Sequence, residues 1–551
     1  MRLGRTGCVV IGSLGLLLIA ACLTGVFAIT TLGMQGRVSA QQTLTPRIVY
    51  GLTFMPSGFD PHVNQNSELG IVFRSVYDTL LYRDPNTKQL VPGLADKVDK
   101  SADGLEYTFH LRSGVKFHDG EPFDAYAVAA TLDRIVNPDT KSTKALTLLG
   151  PYSRYEVIDP QQIKIILNAP YAPILDAFSQ VYLGIASPKA LKENDAATYQ
   201  FHQVGTGPFK LVNYVPGEKI ILQRNPDYVW GPEFYQTPTA ESVQEIEFRF
   251  FTDPATRALA LETGEAQIMG ELAPTDAMLF ARGSNGVQLL PQVIPGQPLQ
   301  FFINTSLFPT NDLNVRKALL MLTDRTAIVD SVFQQFSPVA CGPLSATTPF
   351  YDPKVCDLIK FDPQAGRDLL GQAGYADTNN DGYLDKNDGG QVKNLHIVIV
   401  TPGFGMVPEV VQKLQSQWKE YGIEVEIRQV ANLAAILAEF DKGDYHMVAF
   451  TDYGLDASII NNYYRSDGVM NFTKWKNTDL DAWLDRAVVA EDTERAALYS
   501  QIQTHIMENA LILPIRDYVN LNGAAASING LAYDAYGWFP LLANVTVIEQ
   551  K

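Results

Sequence analysis

The stretch DTNNDGYLDKND, residues 377–388, sets oxygen-bearing side chains at the spacing of a calcium loop. Asp377, Asn379, Asp381 and Asp385 occupy positions one, three, five and nine, and Gly382 takes the sharp-turn position six. The carbonyl of Tyr383 would fill position seven, and Asp388 stands at twelve, where Glu usually binds through both oxygens. The shorter reach of Asp predicts weak binding. A helix is expected before the loop and a strand after it, so any Ca2+ would be structural, tying down an EF-like loop. The competing expectation is a solvated acidic turn, which Asn, Asp and Gly build without metal. Cys341 and Cys356 are the other candidate chemistry. In an oxidising space they read as one disulfide stapling a loop, against the alternative of two buried thiols.

Catalytic patterns are absent from the sequence. It holds no G-x-S-x-G elbow, P-loop or H-E-x-x-H, and its seven histidines never fall at metal-ligand spacing. GTGPFK (205–210) starts like a dinucleotide fingerprint, but Lys210 stands where the third glycine belongs, so a tight turn entering a strand is expected. His118, in the turn FHDG, is expected to bond its own turn. The chain reads as a protein that is not an enzyme and requires no cofactor.

The elements that must position these groups fill 551 residues, too many for one hydrophobic core, so at least two lobes are expected. An apolar share of 46% and a charged share of 19% describe a globular protein, neither disordered nor polytopic in a membrane. The formal charge of −17 repels phosphate and argues against nucleic acid. Residues 1–40 form a signal peptide or membrane anchor: Arg2 and Arg5 precede an uncharged run from Cys8 to Met34, longer than the about 20 residues a bilayer needs. Cleavage after Ala40, lipidation at Cys22 and retention as an anchor are the three outcomes. Each places the body outside the cytoplasm, in the periplasm or at the outer face of the membrane.

Along the body, strands alternate with helices. Residues 67–82 and 124–137 have helical spacing, the second with Asp124 as N-cap, and 105–120 alternates as a hairpin across a Ser-Gly turn. Residues 311–333 and 478–510 read as long helices, 511–523 as one strand. The order NLHIVIVTP (394–402), VVQKLQSQWKEYG (410–422), IEVEIRQV (423–430) spells βαβ and a parallel sheet. Trp418, mid-helix among apolar neighbours, is expected in the core.

Several long blocks in order then resemble one family. SVYDTLLYRDPNTKQLVPGLADKV (75–98), DGLEYTFHLRSGVKFHDGEPFDAYAVAATLDRI (103–135), GTGPFKLVNYVPGEKIILQRNPDYVWG (205–231), LNVRKALLMLTDRTAIV (313–329) and FDPQAGRDLLGQAGY (361–375) are similar to the family 5 extracytoplasmic solute-binding proteins of ATP-driven (ABC) importers, which bind oligopeptides, dipeptides or nickel. The resemblance runs from about residue 47 to about 545. It implies an α/β, two-lobed periplasmic-binding-protein type II fold, large cluster C, with an extra subdomain inserted in the first lobe. The implied division is 44–82 for the start of the first lobe, 83–185 for the insert, 186–300 for the second part of that lobe, 301–514 for the second lobe and 515–551 for the return to the first.

The resemblance also implies the site. Asp452, in TDYGLD, matches the acid after a strand that in peptide-binding relatives pairs with the ligand's α-ammonium. Tyr453 and Phe450 flank it, Tyr518 falls where relatives place a cleft tyrosine, and Gln65 replaces an acidic ligand contact. The implied function is capture of di- or oligopeptides by a monomer that delivers them to the importer's permease subunits and their ATPases. An oligosaccharide binder of the same family and an exported hydrolase acting on peptides or glycans are the alternatives.

Overall fold

Strand Arg47–Leu52 buries Ile48, Tyr50 and Leu52 completely or nearly so, and it runs parallel to Glu245–Phe250 on one side and Ile268–Met269 on the other. In this computed structural model, which describes residues 46–548 apart from 57, 64–66, 284–285 and 404, these strands are the middle of a seven-stranded sheet. Its order is Val287–Val293, Val519–Ala525, Ile268–Met269, Arg47–Leu52, Glu245–Phe250, Lys219–Arg224, Phe209–Val215. A four-stranded antiparallel sheet is built from Ala95–Lys100, Glu106–Leu111, Gln162–Leu167 and Tyr152–Asp159. Both sheets feed one continuous apolar core.

A five-stranded sheet carries a second core. The expected βαβ forms here: His396–Pro402 lies parallel to Glu424–Val430, joined by helix Val407–Lys419. Trp418 is fully buried on that helix, its indole N–H on the Thr323 hydroxyl at 3.0 Å. Met447–Phe450, Leu299–Ile303 and Ile512–Arg516 complete the sheet.

Asp124 caps helix Ala125–Val136 as expected, accepting the N–H groups of Tyr126 and Ala127. The long helices are each broken. Residues 313–321 and 325–333 form separate helices because Asp324 caps a second start, and 478–487 is separated from 492–508. The helix beginning at 67 stops at Val76, where glycines press against it: a Cβ on Gly205 would lie 2.1 Å from the Val76 carbonyl oxygen. GTGPFK is thus a tight turn into strand Phe209–Val215. The expected hairpin across Ser113-Gly114 does not form, since Glu106–Leu111 pairs instead with Ala95–Lys100 and Gln162–Leu167. His118 bonds the carbonyl of Gly207 rather than its own turn.

The chain passes between the seven- and five-stranded sheets at 294–298 and again at Asp517-Tyr518, where the single strand expected over 511–523 splits between the two sheets. Cys341 and Cys356 are disulfide-bonded, as the sequence suggested. Among the described residues no helix is long and apolar enough to cross a membrane. Arg2, Arg5, Cys22 and Ala40, which carry the signal and anchor expectations, lie outside the described residues.

Candidate functional site

Asp452 follows the strand Met447–Phe450 into the seam between the two large sheets. Its backbone is clamped to the crossing segment: Gln297 N–H donates to the Asp452 carbonyl at 2.7 Å, and Gly454 N–H to that of Pro295 at 3.1 Å. Gly296 and Tyr453 are bridge partners in this short antiparallel contact. A side chain at Gly296 would collide with the Asp452 carbonyl at 2.5 Å, so glycine is required there. The Asp452 carboxylate accepts the Tyr463 hydroxyl at 3.0 Å and the Tyr453 N–H at 2.9 Å. Burial raises it above the usual carboxylate range, opposed by the charge of Lys144 and by those two donors. A buried acid raised in this way gains most from a cation that enters with it.

Tyr453, next in sequence, points into an aromatic group. Its ring lies 5.1 Å from Tyr518 and 5.7 Å from Trp538, and Tyr518 stacks on Trp538 at 5.7 Å and 26°. Phe450 packs away from this group, against Tyr463 and Phe472. Tyr453 and Tyr518 therefore meet each other and Trp538, while Phe450 and the Asp452 carboxylate share Tyr463. Gln65 lies outside the described residues.

Behind Tyr518 stand charges that sequence reasoning missed. The Tyr518 hydroxyl donates to Glu271 Oε1 at 3.4 Å, and the Thr53 hydroxyl to Glu271 Oε2 at 3.3 Å. Glu271 is pushed up by burial, against the pull of Arg257 at 3.9 Å. Arg516, nearly inaccessible, lies between the rings of Phe333 at 4.0 Å and Tyr518 at 4.6 Å. Burial lowers its pKa. Glu271 lies 247 residues before Tyr518, so no local motif could join the two, whereas Arg516 stands two residues from Tyr518 in RDYVN and was passed over.

The calcium expectation finds no support in the geometry. Among the described residues no group of three or more His, Cys, Asp and Glu is placed to hold a metal ion. Both oxygens of Asp385 are turned onto Thr378, taking its N–H at 2.9 Å and its hydroxyl at 2.5 Å, and the residue is buried. Asp377 caps the N–H groups of Asp381 and Gly382, Asn379 that of Asp381, and Asp381 that of Tyr383. Asp388 ends a strand that turns back onto 391–394. These bonds are the turns that Asn and Asp build on their own backbone, the pattern that competed with the metal loop.

With this geometry in place, residues 89–471 match the model of a family described as bacterial extracellular solute-binding proteins, family 5 Middle. The Di/tripeptide-binding protein 1 of Pseudomonas aeruginosa (strain UCBPP-PA14) is 27% identical over 503 residues, spanning 86% of this chain and 89% of its own. Among solved structures, NikA from Brucella suis in complex with Fe(III)-EDTA matches with a TM-score of 0.79 at 24% identity, over 91% of this chain and 100% of that one. DppA from Helicobacter pylori in complex with peptide STSA matches at 0.70 and 23% identity, over 91% and 98%. The fold is the mixed α/β periplasmic-binding-protein fold expected from the sequence.

Proposed function

This chain belongs to the bacterial extracellular solute-binding proteins of family 5, and from that premise we propose that it captures di- and oligopeptides outside the cytoplasm and delivers them unaltered to the permease of an ATP-driven importer. The observation that carries the peptide reading is Asp452: a half-buried carboxylate, raised by burial, at the seam between two sheets with separate cores. An α-ammonium brought there finds a charged acceptor largely shielded from water, a bond worth about 1.5–3 kcal/mol. The printed functions of the relatives, di- and tripeptide binding above all, support the same reading.

In this reading the first lobe comprises 44–82, 186–300 and 515–551, with 83–185 inserted and 301–514 forming the second lobe. Supporting it, strands from 47–52, 209–293 and 519–525 make one sheet and strands from 299–516 the other. Tyr453 and Tyr518 line the cleft beside Asp452, with Phe450 behind Tyr463. The oligosaccharide alternative gains little, because Tyr453, Tyr518 and Trp538 pack on one another and spend the faces a sugar would need.

The test is Asp452→Asn, assayed by calorimetry with tri-alanine. Affinity should fall about ten- to hundredfold. The melting temperature of the free protein should hold or rise, because the variant removes a half-buried charge. Equal affinity in variant and parent removes Asp452 from the site, and release of alanine during the titration removes the binding-protein reading.

A further inference from the structure

Gln297 is completely inaccessible to solvent, and neither its Oε1 nor its Nε2 has a hydrogen-bond partner among the described residues. A buried polar group left in this state costs free energy, and here both ends of one amide lack a partner from the chain itself. Its position is well defined. The Gly296–Tyr453 bridge, flanked by the bonds Gln297 N–H to Asp452 carbonyl and Gly454 N–H to Pro295 carbonyl, sets Gln297 directly opposite Asp452 on an antiparallel pair. Directly opposed residues of such a pair carry their side chains on one face. The Gln297 and Asp452 side chains therefore leave the backbone on the same face. The Thr451 hydroxyl donates to the Gln297 carbonyl at 2.9 Å and fixes the backbone further.

We propose that Gln297 is a second recognition group for the N-terminal residue of the bound peptide, gripping its α-ammonium and its carbonyl together. This rests on the peptide reading above. An extended residue shows its nitrogen and its carbonyl along one edge, and a primary amide shows an acceptor and a donor side by side. With the α-ammonium on Asp452, Gln297 Oε1 accepts a second ammonium hydrogen and Nε2 donates to the first carbonyl. Asp452 alone would take any amine. Asp452 with Gln297 measures the distance from amine to carbonyl and selects an α-amino acid at the first position.

The probes are tri-alanine and β-alanyl-alanyl-alanine, whose first carbonyl lies one methylene farther from the amine. By calorimetry the parent should bind tri-alanine about tenfold or more tighter than the β-analogue. Gln297→Met keeps the length and removes both polar atoms. It should weaken tri-alanine about tenfold, narrow the preference for the α-peptide, and leave the melting temperature unchanged or higher. Gln297→Asn keeps the amide but draws it back, and should weaken tri-alanine similarly. Undiminished affinity and preference in both variants overturns this inference and leaves the peptide reading standing, provided Asp452→Asn still loses affinity. If the parent binds neither peptide, both fall together.

Discussion

Glu68, in the first turn of helix Ser67–Val76, reaches back to the end of the first strand, where its carboxylate accepts the N–H groups of Thr53 and Phe54. Burial pushes it up to about 7 from an ordinary 4.5, with repulsion from Glu271 adding to the rise and the N–H donors opposing it. The sign follows from which state holds the proton. Between those two values the folded protein keeps a proton that the unfolded chain has released, so the contribution is fully present below pH 4.5 and is lost as pH rises to about 7. The span corresponds to about 3 kcal/mol. Glu68→Gln should therefore flatten the decline in stability between pH 4.5 and 7.5, read as urea midpoints at the two ends. Parallel declines in variant and parent would refute the account. At this scale the sequence offered candidates only where neighbours carried the family resemblance: TDYGLD nominated Asp452 and RDYVN nominated Tyr518. Gln297 and Trp538 had no such context, because what makes each notable is a residue about a hundred or more positions distant or brought in by the return strand.

The stapled segment between Cys341 and Cys356 does more than close a loop of about 15 residues. Its Ser345 N–H donates to the Gly296 carbonyl at 2.8 Å, its Thr348 hydroxyl accepts the Gly296 N–H at 2.7 Å, and its Ala346 N–H reaches Asp517 at 2.9 Å. One covalently closed loop thus holds both places where the chain crosses between sheets. Replacing both cysteines by serine should cost up to about 3 kcal/mol in urea stability. It should also weaken tri-alanine binding, because Gly296 sets the position of Asp452 and Gln297. A stability loss with unchanged affinity would show that the loop does not steady the crossings. The cysteine pair was legible from compartment and spacing, as were the Asp-initiated helices, since those signals are local. The break at 322–324 was not, because apolar spacing runs through it and only the Asp324 cap divides it. The mistaken hairpin has the reverse cause: alternation identifies a strand but not its partner, and Glu106–Leu111 found two others.

At the scale of the whole molecule, the ordered blocks of the sequence were enough to imply two lobes, yet the joint between them was hidden. Residues 511–523 alternate as one strand and divide only because Asp517-Tyr518 passes from one sheet to the other. Segments attached to the different sheets also touch outside the crossings themselves. Leu455, just beyond Asp452, is buried in the core of the seven-stranded sheet, the Ala172 N–H donates to the Val488 carbonyl at 2.8 Å, and Lys100 pairs with Glu491 at 2.7 Å. In the proposed two-lobe reading these contacts join the lobes across the cleft, so they bias the same hinge equilibrium that the peptide biases. Because Lys100 and Glu491 are largely exposed, solvent screening holds their pair to about 1 kcal/mol or less, or about fivefold in closed population. Lys100→Glu should weaken tri-alanine binding by that factor at low ionic strength and expand the free protein in small-angle scattering, with its melting temperature little changed. Adding Glu491→Lys restores the attraction with the charges exchanged, and should restore the affinity. Raising the salt should erase the differences among all three proteins. Equal affinity of the single variant and the parent at low salt would mean that the crossings alone govern closure.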